Sequence, residues 1–435
     1  MSHFGISDPK ATVSLRIKHL LESRLFSDVS FMVGGNKGVS PEKISAHKCI
    51  LGSASPVFEL MFNGDFKESK KEDIDIDVPD VSPSGFRDML RWIYTNETIL
   101  SLKDVCPLLY CAEKYDLSIL KEKCISFMNR SPDEDFCHLF YQSKLHGIIN
   151  LVPWIKESIL ALPNLTLLPD SVLKINDNEV LNEILSSNRL NADEVDVLKT
   201  ALCWASSQTV DMKGDLREIL GPALYSIRFP ILSSSQFVDE VIPSRLLKNE
   251  EILDILNYIS KSISSVSCNF SIQPRIRICE RFEHHYEEYI DTLKHSITFA
   301  ANKPIKVHAI AVHCPSEIGS KLTGSIHLEN VNQIGVKREL VSKVFDIKYH
   351  PAYETTRIYF NEPITIKSKT YYAASIEYEK SSLKQRGWTG VFGRTKVLVD
   401  GTHFHFRDYP NSNDKCTNTH QGQIPSFCFS RLPFV

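Results

Sequence analysis

The tightest constraint on what this chain can fold into is a change of hydrophobic period near Ser264. From about Ser131 to Ile263, segments such as "DNEVLNEILSS", "ADEVDVLKTALCWASSQ" and "NEEILDILNYIS" repeat apolar residues at three- and four-residue steps. That spacing gathers apolar side chains on one face of a helix. Beyond Ser264, "HSITFAANKPIKVHAIAVH", "TTRIYFNEPITIKSKTYYAASIEYE" and "QIPSFCFSRL" alternate instead, rich in β-branched and aromatic residues and separated by Gly, Pro and Asn. A repeat of two belongs to strands, and with no helical segment interleaved the sheet is antiparallel and stacked as a sandwich. Helical stretch and sandwich therefore need separate cores, which suits a chain of 435 residues.

A third pattern precedes them. Residues 12–24 place Val13, Ile17, Leu20 and Leu21 at helical spacing, "SDVSFMVGG" and "KISAHKCIL" read as a hairpin, and "DIDIDV" alternates as a strand. "SASPVFELMF", "PSGFRDMLRWIYT", "VCPLLYCAEKYDL" and "SILKEKCISFM" are amphipathic helices, giving a small α/β domain. In the helical stretch Asp177, Asn191 and Asn249 stand where N-caps belong. "SSVSCNFSIQPRIRICERF" reads as a linker into the sandwich.

Composition and motifs narrow the function. A net charge of −3 argues against nucleic-acid binding driven by bulk charge. No run of about 18 apolar residues suggests a membrane span, and the N-terminus lacks the pattern of a secretory signal. Eleven cysteines, an odd number without C-x-x-C, suit free thiols in a reducing cytosol or nucleus, and a cytoplasmic location is expected. Neither G-x-x-x-x-G-K-[ST], G-x-G-x-x-G nor G-x-S-x-G occurs, and "GWTGVFGR" reads as a turn between strands. His403 and His405 share a strand face and His308 and His313 flank "AIAV", yet no local Cys or carboxylate completes a four-ligand set, so no metal and no cofactor is expected. No catalytic residue is nominated, and the chain is not expected to be an enzyme.

One segment stands out for binding. In "MFNGDFKES", Phe66 sits among Gly64, Asp65, Lys67 and Glu68, an aromatic on a polar loop. Such a residue is a natural anchor for a partner, with Glu68 to orient it. In the sandwich, the loops "KSSLKQRGWTG" and "YPNSNDKCTNTH" are expected to carry contacts, with Arg386 and Trp388 as the substrate-binding candidates. The apolar stripe of Val13, Ile17 and Leu20 needs a surface to cover and points to a homodimer.

Taken together, "LFSDVSFMV", "ISAHKCILGSASPVFELMFNGDFKES", "IDVPDVSPSGFRDMLRWIYT" and "AEKYDLSILKEKC" resemble the BTB (POZ) domain over residues 10–128. "LNEILSSNRLNADEVDVLKTALCWA", with Leu190, Glu194 and Trp204, together with "SIRFPIL", resembles the BACK domain, placed here at 129–263. After a linker at 264–280, "GQIPSFCF" and "NEPITIKSKTYY" resemble the PHR β-sandwich at 281–435. The BTB–BACK–PHR order resembles a subfamily of BTB proteins that act as substrate adaptors of cullin-3 ubiquitin ligases. This resemblance implies that Phe66, Lys67 and Glu68 dock the cullin and that Asp28 and Lys48 lie near a dimer pocket. It implies a non-catalytic adaptor that dimerises and recruits a protein substrate through the sandwich. The alternative is a dimeric scaffold or transcription-linked BTB protein that binds no cullin.

Overall fold

The computed structural model describes residues 12–35, 40–63, 75–148, 152–209, 215–260, 267, 269–331, 337–350, 353–409 and 417–432. The chain divides into two compact units, Met1–Glu157 and Ser158–Val435.

The first unit runs α1 (Val13–Ser23), β1 (Val29–Val33), β2 (Glu42–Ala46), α2 (Lys48–Ala54), α3 (Pro56–Asn63), β3 (Asp75–Val78), α4 (Pro83–Thr95), α5 (Val105–Lys114), α6 (Ser118–Asn129) and α7 (Phe136–Leu145). The expected hairpin forms, with Phe31 opposite Ile44, and β3 adds parallel to β1 with Phe31 beside Ile76. The alternation in β1 turns Phe31 and Val33 inward, where both are fully buried. Phe31 meets Phe58 and Phe86 at ring-centroid distances of 5.9 and 5.1 Å, and Phe58 stacks on Tyr115 at 4.2 Å. One aromatic cluster thus ties the sheet to α3, α4 and the end of α5. Helix α4 begins where Ser82 Oγ accepts the Gly85 N–H and Pro83 presets the first turn. A Cβ on Gly85 would lie 2.8 Å from the Pro107 carbonyl oxygen, so glycine is what lets α4 and α5 approach so closely.

After α8 (Val152–Ala161), the second unit continues through the helices α9 (Pro163–Thr166), α10 (Pro169–Val172), α11 (Asn178–Leu185), α12 (Glu194–Ser207), α13 (Leu216–Leu220), α14 (Ser234–Gln236), α15 (Ile242–Ser244) and α16 (Asn249–Ile259). Asp177 caps α11 as expected, its carboxylate accepting the Glu179 and Val180 N–H groups. The other two expected caps move. Asn191 lies two residues before the N-cap of α12 and bonds elsewhere, while Asn249 is the first residue of α16, where Glu251 accepts the Lys248 N–H. Trp204 donates to the Ile175 carbonyl at 2.6 Å from inside the helical core.

Among the described residues the strands that follow are β4 (Arg277–Glu280), β5 (His284–Tyr289), β6 (Lys294–Ala301), β7 (Ile305–His313), β8 (Lys321–Val331), β9 (Lys337–Lys348), β10 (Thr355–Ile366), β11 (Tyr372–Tyr378), β12 (Arg386–Val391), β13 (Lys396–Val399), β14 (Thr402–Asp408), β15 (Gln421–Gly422) and β16 (Ser426–Arg431). They form antiparallel sheets ordered β10-β7-β16-β4, β13-β14-β6-β11-β8-β9 and β15-β12-β5. Phe299 from the six-stranded sheet and Phe427 from the four-stranded one meet at 4.5 Å in a core that also holds Val307, Ile310, Ile326 and Phe429.

The segment expected as a linker is instead part of both layers. Phe270 is buried edge-on against Phe229 of the helical region, and Arg277–Glu280 is strand β4, paired with β16. Between them, Arg275 is buried with Glu194: Nε and Nη2 donate to the two carboxylate oxygens at 2.9 and 2.8 Å. Nη1 donates to the carbonyls of Leu185 and Ser187 and Nη2 also to that of Ser226, so every guanidinium N–H has an acceptor. The loop before α12 then lines the outer edge of β4, the Asn188 carbonyl accepting the Ile276 N–H and Asn191 Oδ1 that of Ile278.

Removing one partner of a buried pair strands the other charge. Glu194→Gln should lower the urea-unfolding free energy by about 3–5 kcal/mol, and Glu194→Gln combined with Arg275→Met should recover part of it. A loss under about 1 kcal/mol, the range of an exposed pair, would contradict the role given to this contact.

Candidate interaction surfaces

Helix α1 buries no residue completely. Ile17 and Leu20 are half-buried, whereas Val13 and Leu15 are 65% and 57% exposed. The chain leaves α1 through Arg24 and Phe26, both in the left-handed region at φ 57° and 63°, and this turn puts Phe26 out at 78% exposure beside Leu25. The turn is pinned from below. Nε2 of buried His47 lies 2.7 Å from the Leu25 carbonyl and Nδ1 lies 2.7 Å from the Tyr94 hydroxyl. The carbonyl can only accept, so Nε2 carries a proton and donates to it, while Nδ1 shares a hydrogen bond with the Tyr94 hydroxyl. The sequence reading missed Leu25 and Phe26; the adjacent "LF" after a helix was the available signal, and only the left-handed turn shows that it faces out.

Asp28 and Lys48 do meet, but through the backbone: Asp28 Oδ1 accepts the Lys48 N–H at 2.8 Å, serving the first turn of α2. Phe66, Lys67 and Glu68 lie outside the described residues. The helix leading to them, α3, ends with Leu60 at 61% exposure and with Met61 and Phe62 half-buried, Phe62 stacking on Phe58 at 5.8 Å.

In the sandwich the expected binding loop "KSSLKQRGWTG" is only partly a loop, since Arg386 and Trp388 stand on strand β12. The reason is pairing on both sides: the register of β12 on β5 sets Arg386 opposite Tyr289 and Trp388 opposite Glu287, and β15 adds at Gly390. Trp388 is half-buried and packs against the sandwich core. Arg386 is also half-buried, lying 3.4 Å from Glu287, 3.8 Å from Glu317 and 5.7 Å from the centre of the Tyr289 ring. "GWTGVFGR" therefore continues the strand through Val391 before it turns at Phe392, which has φ 56° and is 66% exposed. Gly390 is required there because a Cβ would fall 2.0 Å from the Phe282 ring. Most of the loop "YPNSNDKCTNTH" lies outside the described residues.

The histidines divide by burial. His403 is exposed and His405 half-exposed on β14. His308 Nε2 lies 2.8 Å from Ser430 Oγ, and fully buried His313 faces the His285 ring at 4.9 Å. Among the described residues no three His, Cys, Asp or Glu side chains gather as a metal site. Burial also pushes the thiols of Cys106 and Cys428 up to about 11, away from nucleophilic character at neutral pH. No helix among the described residues is long and apolar enough to cross a membrane.

Burial, reinforced by the charge of Lys306, lowers His308 to about 4; burial and the neighbouring His285 lower His313 to about 3. Both are neutral in the folded protein and take up protons more readily when unfolded, so folding stability falls as pH drops below the ordinary value near 6.5. Fully buried His313 should cost up to about 1.4 kcal/mol per pH unit below about 6.5, and the part-exposed His308 less, because solvent screens it. Denaturant midpoints at pH 7.5 and 5 should show this loss, and His308→Gln should reduce it; a flat pH profile would contradict the assignment.

Comparison with known proteins places these surfaces in context. Residues 17–132 match the BTB/POZ domain and residues 280–430 the PHR domain. BTB/POZ domain-containing protein 6-B of Danio rerio is 28% identical over 94% of this chain and 85% of its own length. BTB/POZ domain-containing protein 3 of Mus musculus is 29% identical over 96% of this chain and 78% of its own. For protein 6 of Mus musculus the values are 27%, 94% and 76%.

Proposed function

Because this chain is a BTB/POZ protein with a C-terminal PHR domain, we propose that it is a non-catalytic substrate adaptor of a cullin-3 ubiquitin ligase. The N-terminal domain dimerises and holds the cullin, the helical region acts as a BACK-type spacer, and the sandwich recruits a protein substrate in the cytoplasm. Such an adaptor needs no nucleophile of its own, since it contributes by holding an acceptor lysine near a charged conjugating enzyme.

The observation that carries this reading is the coexistence of two protein-binding modules with apolar residues left outside on the first. Val13 and Leu15 at the start of α1 and Leu25 and Phe26 just after its end are each exposed, and these apolar side chains suit a dimer contact. Exposed Leu60 on α3, next to the segment with Phe66, Lys67 and Glu68, suits the cullin contact. Arg386 and Trp388, both half-buried on β12, are the substrate-side candidates.

The test is co-purification of the full chain with the cullin-3 N-terminal domain, with light scattering for stoichiometry. A two-to-two complex is expected. Phe66→Ala with Glu68→Ala should weaken cullin binding by about thirtyfold, or about 2 kcal/mol, and leave the dimer intact. Absence of any cullin complex from a folded dimer would favour the scaffold reading, and a monomer at micromolar concentration would remove the dimer.

A further inference from the structure

Two sandwich edges are treated in opposite ways. The outer edge of β4 is occupied by the loop before α12, whose Asn188 carbonyl and Asn191 side chain accept its amide protons. Strand β5 ends its own sheet, β15-β12-β5, and among the described residues nothing pairs with its far side. Five of its six residues are exposed, including Tyr286 at 38% and Tyr289 at 57%.

The direction of its free amides follows from β12. The Trp388 N–H donates to the Cys314 carbonyl at 3.2 Å, and the Ser316 N–H donates to that of Arg386 at 3.0 Å. Arg386 and Trp388 thus turn their amide groups away from β5. Gly387, Thr389 and Val391 turn theirs towards it, opposite Glu288, Tyr286 and His284. By the alternation of an antiparallel ladder, the amide groups of His285, Glu287 and Tyr289 face outward, a template for one more strand.

Its side chains say which strand. Tyr286, Glu287, Glu288 and Tyr289 read the same in both directions, and consecutive residues point to opposite faces, so each face offers one carboxylate and one tyrosine. Residues 283–291 hold four carboxylates and neither Lys nor Arg. Arg394 offsets Glu283 and Arg386 offsets Glu287, while Arg386 also reaches Glu317. Glu288 accepts the Tyr286 hydroxyl at 3.0 Å and has no ion-pair partner among the described residues. A second copy of β5 added antiparallel would set glutamate against glutamate, which opposes self-pairing.

We propose that β5 is a docking edge for an extended segment of a partner protein with two adjacent basic residues between apolar ones, added as the fourth strand of this sheet. The basic pair meets Glu287 and Glu288, one on each face, and the flanking residues lie against Tyr286 and Tyr289. Main-chain bonds supply affinity and the side chains supply selectivity, as in other strand-addition complexes. This rests on the adaptor reading for its biological sense, because it names the class of substrate the sandwich would hold.

The experiment is a calorimetric titration of the full-length protein with the capped peptide GTVRKVTG. The comparison peptides are the charge-reversed GTVEEVTG and a form of the first N-methylated at alternate residues. Saturable binding of the first is expected, with at least tenfold loss for each of the other two. Glu287→Lys with Glu288→Lys should lose at least tenfold as well. Glu287→Pro should abolish binding with little change in melting temperature, since the lost N–H points to solvent and an edge strand tolerates proline there. Should that variant unfold, the N-methylated peptide on the unaltered protein decides the same point. Equal binding of the N-methylated peptide, or none of the parent up to millimolar concentration, would overturn the proposal. Cullin co-purification of the same samples separates the two readings: peptide binding without cullin binding keeps the docking edge and discards the adaptor.

Discussion

The ion pair of Arg275 with Glu194 is the contact on which the second unit turns. A carboxylate and a guanidinium, both nearly inaccessible, survive burial only because every N–H of the arginine has an acceptor and Glu194 also receives the Arg228 backbone N–H. Arg228 completes the junction, donating to Asn188 Oδ1 and the Gln273 carbonyl, and burial beside Arg275 lowers it to about 10. The junction fixes where the chain leaves the helices. Two residues later it is already strand β4, so the register of the four-stranded sheet at that edge is set from the helical side. Asp193 extends the clasp, 3.0 Å from Arg277, and Arg189 stacks on Tyr359 at 4.5 Å while donating to its hydroxyl. Helical layer and sandwich are thereby one mechanical piece, which gives a bound segment a defined position on that unit.

The exposed features divide into two kinds with different physical logic. On the first unit they are apolar and rigidly presented: Phe26 stands out because two left-handed residues force it to, and His47 with Tyr94 holds the turn. At the β5 edge of the sandwich the candidate contact is instead polar and backbone-based, offering amides, carboxylates and tyrosine rings. Large apolar contacts suit permanent association such as a dimer, whereas main-chain pairing with a few charges suits exchangeable partners.

Much of the architecture was legible because each element obeys one hydrophobic period. The alternation of "VSFMV" places Phe31 and Val33 inside, and "DNEVLNEIL" behind Asp177 announces a capped helix. Failures came where a residue answers to a distant partner. Asn191 has the composition of a cap, but its side chain is drawn to Ile278, 87 positions away. The stretch from Phe270 to Glu280 looks like a polar linker until Glu194 and β16 claim it. "QRGWTG" has turn-like residues, yet pairing with β5 on one side and β15 on the other makes it strand.

The sequence by itself determined the fold class of the N-terminal, helical and C-terminal regions and the absence of the common nucleotide-binding and nucleophile-elbow motifs, because those depend on local periodicity and short spacings. It also determined that Tyr286, Glu287, Glu288 and Tyr289 are adjacent, but not that they form an edge. Only the tertiary structure decided which strand edges are covered and which are open, which apolar residues find a core, and which arginine meets which glutamate. These are long-range pairings, and a strand carries the same alternation whether a neighbour lies on one side of it or on both.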